Sequence, residues 1–479
     1  MLNKKTKIVA TLGPATSTKE VLKAMLDEGC NVFRINFSHA DYKDVEERIK
    51  MIRELNEEFG YNASILGDLQ GPKLRVGMMK GEVIVNEGDE IIFATGKRFE
   101  GTKERVYMTY DKFPQDAKPG ERILLDDGKL IFEVVSTDKK SEVKARVIQG
   151  GPLKSKKGVN LPNTNISQPA LTEKDIEDAI FAIGQKVDWM ALSFVRHAED
   201  LMQLEKLISE HSEHKIPIIA KIEKPEAVEN IDKIVAYCDG LMVARGDLGV
   251  EIPAEEVPLI QKQLVLRAKK ARIPVIIATQ MMETMITSLT PTRAEVNDVA
   301  NSVMDGADAV MLSGETSVGQ YPVQVIRQMA NIIRSVEDSP LIEVPQSPPH
   351  IRTKRYITKA ICYHAANMAN EINAKAISTL TNSGYTAFQI SAWRPSSHIL
   401  VFTSNRRILT QLSLLWGVKA FYYDKFVSTD ETLEDVNAIA CKKGYLEVGD
   451  MLISLAAMPI QSKGMVNTLR VTEIESCSF

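Results

Sequence analysis

Between Ile216 and Ile252 two short apolar runs each stop abruptly in charge. Pro217–Ala220 runs into Lys221, Ile222 and Glu223, and Leu241–Ala244 runs into Arg245, Gly246 and Asp247. Between them Val228, Ile231, Ile234 and Val235 fall at helical spacing, with Pro225 at a first turn, and predict one helix over Glu226–Tyr237. Strand, helix, strand is a unit whose crossover demands parallel pairing. Each strand then carries an acid just past its apolar body, on the same rim. Adjacent strands lie roughly 5 Å apart, so Glu223 and Asp247 can reach one ion between them. Oxygen ligands of this kind suit Mg²⁺ or Mn²⁺, which keep waters and recruit substrate oxygens. Lys221 brings an ammonium to the same space. A surface ion pair at strand ends is the alternative, and the recurrence of the ending along the chain weighs against it.

The unit recurs from the start of the chain. Strands are expected at Lys7–Leu12, Asn31–Phe37 and Ala63–Leu66, with helices from Thr18 to Glu28 and onward to Phe59. From Gly71 to about Asn165 only short alternating stretches appear, such as Glu90–Ala94, Arg122–Leu125 and Glu142–Val147, separated by turn residues. The strand–helix rhythm resumes with a helix from Thr172, whose Thr172-x-x-Asp175 resembles a capping box. Strands follow at Trp189–Phe194, Ile216–Ile222, Gly240–Ala244, Pro274–Thr279 and Ala309–Leu312. Eight strand–helix units close a (β/α)₈ barrel, whose active sites sit at the C-terminal rim of the strands. A doubly wound sheet would need a phosphate loop after an early strand, and neither GxGxxG nor GxxxxGK[ST] occurs.

The proline-rich stretch Leu341–Pro349 reads as a linker to a smaller α/β unit with strands at Ala376–Thr379, Ile399–Thr403, Ala420–Tyr423 and Met451–Ser454. The expected class is therefore α/β: a (β/α)₈ TIM barrel over 1–70 and 166–343, a small β-barrel lid inserted at 71–165, and a C-terminal α/β domain at 344–479.

A net charge of −4 and pI near 6.1 argue against a dedicated nucleic-acid or membrane-surface binder. No run reaches transmembrane length, and the apolar run before Gly13 is too short for a signal segment. Five scattered cysteines without a CxxC pair suggest a reducing compartment, with most of them buried as small apolar groups. A cytoplasmic protein is expected.

The barrel-strand exits together present Arg34, Asn36, Ser38, Asp68, Ser193, Arg196, Lys221, Glu223, Arg245, Asp247, Thr279, Ser313 and Glu315. Two carboxylates can hold a divalent ion while several cations face it. There is no Ser-His-Asp arrangement and no cysteine nucleophile, and His39 reads as a hydrogen-bonded loop residue rather than a base. A cationic, metal-bearing pocket of this kind suits a substrate with both carboxylate and phosphate. Phosphoryl transfer needs mostly positioning and charge neutralisation, which these residues offer.

Lys7-IVATLGPAT, Asn31-VFRINFSH, Leu66-GDLQGPKLRVG, Lys157-GVNLPN, Ile218-IAKIEKPEAV, Met242-VARGDLGVEI, Ile277-ATQMMETM and Met311-LSGETSVGQYP together resemble pyruvate kinase over essentially the whole chain. The resemblance implies transfer of the phosphoryl group of phosphoenolpyruvate to ADP, giving pyruvate and ATP. It implies Glu223 and Asp247 as divalent-metal ligands, with Lys221 and Arg34 on the phosphoryl group. Ala244 and the amides of Arg245, Gly246 and Asp247, with Thr279, would bind the substrate carboxylate. Ser313 and Glu315 would belong to a proton relay to the enolate. Pro14, Asn36, His39, Tyr42 and Arg75 would lie by the nucleotide. Asn36, Ser38, Asp68 and Leu69 match a monovalent-cation site, and a homotetramer is the family's expectation.

Departures from the family pattern refine this. Potassium-dependent members have a Thr where this chain has Leu69 and a Glu where it has Lys73, so K⁺ is not expected to be required; Gln70 and Val76 match the potassium-independent branch. Thr381, Asn382, Ser383, Gly384 and Thr386 follow a strand and precede a helix, forming a phosphate nest for a phosphorylated effector. The later loop from Ala456 to Gly464 lacks the Trp and Arg of animal enzymes that use fructose 1,6-bisphosphate, so weak affinity for that bisphosphate is expected. Another metal-dependent enolate barrel, such as an aldolase or a phosphoenolpyruvate-using synthase, accounts for Lys221, Glu223 and Asp247 but not for the lid or the Arg34-Asn36-Ser38 cluster. A non-catalytic metabolite sensor expects losses among the pocket residues, and none is seen.

Overall fold

Eight parallel strands close into a barrel, in the order first, eighth, seventh, sixth, fifth, fourth, third, second. A computed structural model describes residues 4–339, 348–349, 355–425, 428–458 and 465–477. The barrel strands are Lys7–Thr11, Val32–Asn36, Ser64–Asp68, Trp189–Leu192, Ile218–Ile222, Gly240–Ala244, Val275–Ala278 and Ala309–Leu312. Most are buried at every position, which is why they read as continuous apolar runs rather than as alternating ones. Val9, Val32, Leu66, Trp189, Ile219, Met242, Ile276 and Met311 pack together inside the barrel, and Leu414 of the C-terminal unit joins them. Trp189 Nε1 donates to Gln411 O at 3.1 Å, tying the same two units.

Helices cover the outside, and their starts follow the capping chemistry. Thr172 Oγ1 accepts from Asp175 N at 3.1 Å and Asp175 Oδ2 accepts from Thr172 N at 2.9 Å, a reciprocal capping box. Asp175 does a second job: its Oδ1 accepts from Gly71 N at 2.9 Å, where the chain leaves the barrel for the lid. Gly71 has φ +70°, and a Cβ there would lie 3.0 Å from Ser193 Cβ. Only glycine takes that turn cheaply. The returning segment is held by Arg196, whose guanidinium donates to Ile166 O and Gln168 O.

The inserted unit carries a six-stranded sheet, Val159–Asn160, Arg122–Leu125, Leu130–Thr137, Glu142–Gln149, Glu90–Ala94 and Arg105–Tyr107 in spatial order, beside a two-stranded ribbon of Val83–Val85 and Gly151–Leu153. It has its own core around Phe93, Phe113 and Phe132. The C-terminal unit is a five-stranded sheet in the order Val418–Tyr422, His398–Thr403, Ala376–Leu380, Met451–Ala456 and Thr468–Glu473. Its last strand is an antiparallel edge.

Three expectations are corrected. The single helix over Glu226–Tyr237 is two short ones, Pro225–Glu229 and Ile231–Ile234. Asn230 interrupts them, its Nδ2 donating to Glu226 O at 2.9 Å and Arg196 O at 3.3 Å; an Asn side chain of this kind competes with the helix for backbone acceptors. Cys30, Cys238 and Cys362 are free and buried, as expected of most of the cysteines, but Cys441 and Cys477 form a disulfide across 36 residues that a reducing compartment did not lead one to expect. That pair is made by the sheet, which brings the segment after its edge strand back to the helix Thr429–Lys442. Finally, Glu82–Val85 reads as a strand and is one over Val83–Val85, but the short lid strands Arg105–Tyr107, Gly151–Leu153 and Val159–Asn160 and the edge strand Thr468–Glu473 were not expected. The linker over 341–347 lies outside the described residues. Among those described, no helix is long and apolar enough to cross a membrane.

Candidate active site

Parallel pairing places the strand exits side by side. Asn36 is in register with Asp68, Asp68 with Ala191, and Lys221 with Met242. Lys221, Glu223, Asp68 and Arg34 are all buried. Lys221 Nζ lies 3.1 Å from Glu223 Oε1 and 3.2 Å from Asp68 Oδ1, and donates to Ser193 Oγ at 2.7 Å. Ser193 Oγ in turn donates to Leu69 O at 2.7 Å. Arg34 holds Asp68 Oδ2 through Nε at 2.6 Å and Thr11 Oγ1 through Nη1 at 3.0 Å.

These contacts set the charge states. Burial pushes the Lys221 ammonium down, but Asp68 and Glu223 outweigh it and hold the group above its ordinary value. Burial likewise opposes an ionised Asp68, yet Lys221 and Arg34 keep it below the usual carboxylate range. Glu223 goes the other way: burial raises it, and the negative charge of Asp247 adds to the rise against the pull of Lys221. Glu223 beside a second carboxylate across the strand gap has the chemistry of a divalent-ion site. Asp247 has no hydrogen-bond or ion-pair partner among the described residues. No cluster of three or more His, Cys, Asp or Glu is found there either, so the protein offers two carboxylates and substrate and water the rest. The residues fit Mg²⁺ or Mn²⁺.

Thr279 takes φ +72°, a conformation costly for a β-branched residue and typical of functional sites. The strain aims its hydroxyl at the sixth-strand exit, where Oγ1 accepts from Gly246 N at 2.7 Å. Arg245 contributes backbone only, since its guanidinium binds Asp298 Oδ2 at 2.7 Å and Thr279 O at 2.8 Å. Ala244 ends the strand and Asp247 sits in the first turn of the helix Arg245–Glu251. Glu315 is buried, with its carboxylate accepting from Ser313 N at 2.7 Å and Met282 N at 3.1 Å. Burial raises its pKa.

The remaining candidates are less tightly gathered. Asn36 Oδ1 accepts from Ser38 N at 3.2 Å, so it and Leu69 O already have donors. Pro14 is exposed at the start of a short 3₁₀ turn. The Tyr42 hydroxyl donates to Asp178 at 2.7 Å, and the ring stacks on Phe181 at 4.1 Å. Arg75 is on the lid, donating to Lys156 O at 3.1 Å. The His39 side chain lies outside the described residues. Lys73 is exposed and lines a cleft between lid and barrel with Asp127, Asp247 and Glu251, not with Asn36, Ser38 or Asp68. In the C-terminal unit, Gly384 N donates to Thr381 Oγ1 at 3.0 Å, Asn382 and Ser383 are exposed, and Thr386 is buried. Of the loop after Ala456, positions 459–464 lie outside the described residues.

Sequence reasoning gave Ser193 and Arg196 no role, and the structure makes one a relay between Lys221 and Leu69 and the other a clamp on the lid. It missed Thr11, Lys224 and Glu251. Glu251 carries a readable signal, since it stands four residues after Asp247 on the same helix.

Family models match along the chain: pyruvate kinase, barrel domain, over residues 3–326, and pyruvate kinase, alpha/beta domain, over 359–472. A pyruvate kinase of Corynebacterium glutamicum is 43% identical over 470 residues, covering 98% of each chain. One from Mycobacterium tuberculosis is 41% identical and covers 99% of each. Among solved structures, a pyruvate kinase from Cryptosporidium parvum superposes with a TM-score of 0.91 at 32% identity, covering 98% of this chain and 96% of its own. The closed barrel, the lid and C-terminal sheets, the gathered strand exits and these matches agree, and the chain belongs to the pyruvate kinase family.

Proposed function

We propose that this chain carries out the family reaction, moving the phosphoryl group of phosphoenolpyruvate to ADP, through the strand-exit residues just described. Glu223 and Asp247 hold the divalent ion, Mg²⁺ or Mn²⁺, which when bound neutralises charge on substrate oxygens. Lys221 and Arg34 face the transferring group. The bond from phosphorus to the enolate oxygen breaks as one to the terminal phosphate oxygen of ADP forms. Negative charge left on the enolate is met by the buried Lys221 ammonium, already in place and needing no reorganisation. The amides of Arg245, Gly246 and Asp247, with the strained Thr279, orient the substrate carboxylate. Glu315, which burial keeps readier to hold a proton, belongs with Ser313 to the relay that protonates the enolate carbon. Pro14, Asn36, His39, Tyr42 and Arg75 receive the nucleotide between barrel and lid.

The observation that carries this reading is Lys221 held charged between Asp68 and Glu223 at 3.2 and 3.1 Å. A coupled assay tests it. Phosphoenolpyruvate and ADP should yield pyruvate and ATP in equal amounts, and absence of pyruvate would reject it.

We further propose that K⁺ is not required. Asp68, the acid of the monovalent set, already meets two fixed cations, and Lys73 adds an ammonium at the lid hinge whatever the salt. The turn at Thr381–Gly384 is assigned to a phosphorylated effector, with weak affinity for fructose 1,6-bisphosphate because Asn382 is not basic. A homotetramer is the proposed assembly, in line with the two-fold symmetric interfaces common among oligomers. The cytoplasm is the proposed compartment; three free buried thiols support it and the Cys441–Cys477 bond weighs against it.

A further inference from the structure

Directly outside the Glu223–Asp247 pair, on the same two elements, lies a second pair of opposite character. Lys224 follows Glu223 at the exit of the fifth strand, and Glu251 ends the helix that carries Asp247 in its first turn. Lys224 Nζ donates to Glu251 Oε1 at 2.6 Å, and the Glu251 side chain is fully buried. A third group reaches the same oxygen: Asn160 of the lid donates through Nδ2 at 2.8 Å. Glu251 Oε2 is buried without a hydrogen-bond partner. A buried carboxylate kept on one ammonium and one amide is an expensive arrangement, and the metal ligands themselves do not need it.

We infer that Lys224 and Glu251 are positioning residues for the divalent-ion site, and that Asn160 makes their contact report the position of the lid. The inference rests on the reading that Glu223 and Asp247 are the metal ligands. Those two carboxylates repel while no cation lies between them. The Lys224–Glu251 attraction spans the same gap one turn along the helix, so it draws the Asp247 helix toward Glu223 and holds both acids near one point. Asp247 and Glu251, four residues apart, share a helix face, so a displacement of Glu251 moves Asp247. Asn160 is in a lid strand, Val159–Asn160, so lid docking and ligand geometry share one carboxylate oxygen.

Mn²⁺ binding to the substrate-free enzyme, read from the electron paramagnetic resonance of free Mn²⁺, tests this without turnover. Partners outside the ligand shell typically change metal affinity by about 10- to 100-fold. Lys224→Met and Glu251→Gln should therefore each weaken Mn²⁺ binding about tenfold. Simple through-space charge predicts opposite signs, because removing an ammonium near a cation would tighten binding. Tighter or unchanged binding in Lys224→Met thus overturns the inference. Should either single variant misfold, the double variant Lys224→Met/Glu251→Leu leaves no lone buried charge, and unchanged affinity there overturns it equally. Asn160→Ala should leave substrate-free Mn²⁺ affinity within twofold yet raise KM for ADP several-fold with little change in kcat; an unchanged KM rejects the lid coupling. Asp247→Asn guards the underlying reading: if it binds Mn²⁺ like the wild type, the ligand assignment fails rather than the positioning role.

Discussion

Arg34 Nε and Asp68 Oδ2 stand 2.6 Å apart at neighbouring strand exits, both groups buried. Lys221 approaches the other oxygen of the same carboxylate at 3.2 Å. One acid thus holds two cations at the mouth of the barrel and fixes the position of each.

Lys221→Met removes the ammonium that meets the developing charge. Turnover should fall roughly a hundredfold or more, the usual effect of deleting one such donor, about 3 kcal/mol. The fold is affected too, because Asp68 and Glu223 lose a shared partner and are left buried. Breaking a buried pair costs about 3–5 kcal/mol, so the melting temperature should drop along with the activity. Steady-state kinetics and thermal unfolding on one preparation check both.

The acid side of stability should report Asp68. Its folded pKa lies below the usual 3.8, so its contribution is present above that value and is lost as pH falls through the depressed folded value. Asp68→Asn should be less stable than the wild type at neutral pH. The gap should stay level down to about pH 4 and close below it, as followed by urea unfolding across pH. A gap that widened toward acid would reverse the assigned sign.

Much of this site was legible because its residues follow apolar runs. Barrel strands buried on both faces read as unbroken hydrophobic stretches, so their ends, and Lys221, Glu223 and Asp247 with them, stand out. Contacts made across the fold were hidden. Nothing near Thr11 marks it as the partner of Arg34, and Asn160 meets Glu251 only because the lid folds back over the barrel. The broken helix at Asn230 was masked by apolar spacing that continues through the break. The Cys441–Cys477 bond joins residues too far apart for any spacing rule. The nucleotide assignments came from resemblance, and a position such as Arg75 has no local pattern that would have revealed it, whereas the effector turn at Thr381–Gly384 was readable from its place between a strand and a helix.

The proposed independence of K⁺ is tested at Lys73. Activity in a tetramethylammonium buffer free of K⁺ and NH₄⁺ should equal that in KCl, and Lys73→Glu should create a K⁺ requirement. A wild type nearly inactive there and restored by KCl would show that Lys73 does not replace the ion.

The C-terminal turn predicts weak response to one effector. Micromolar fructose 1,6-bisphosphate should leave the phosphoenolpyruvate saturation curve nearly unmoved. Strong activation in that range would contradict the reading of Asn382 and of the loop after Ala456.

The most direct measurement is the rate of pyruvate and ATP formation by Glu223→Gln beside the wild type at saturating Mg²⁺. Gln keeps an oxygen for the Phe194 amide, which Glu223 Oε2 accepts at 2.7 Å, so the backbone there stays supported. Losing one of two carboxylate ligands should lower turnover by about a hundredfold or more, with both products falling together. Turnover within about twofold of the wild type would contradict the assignment of this strand exit as the phosphoryl-transfer centre.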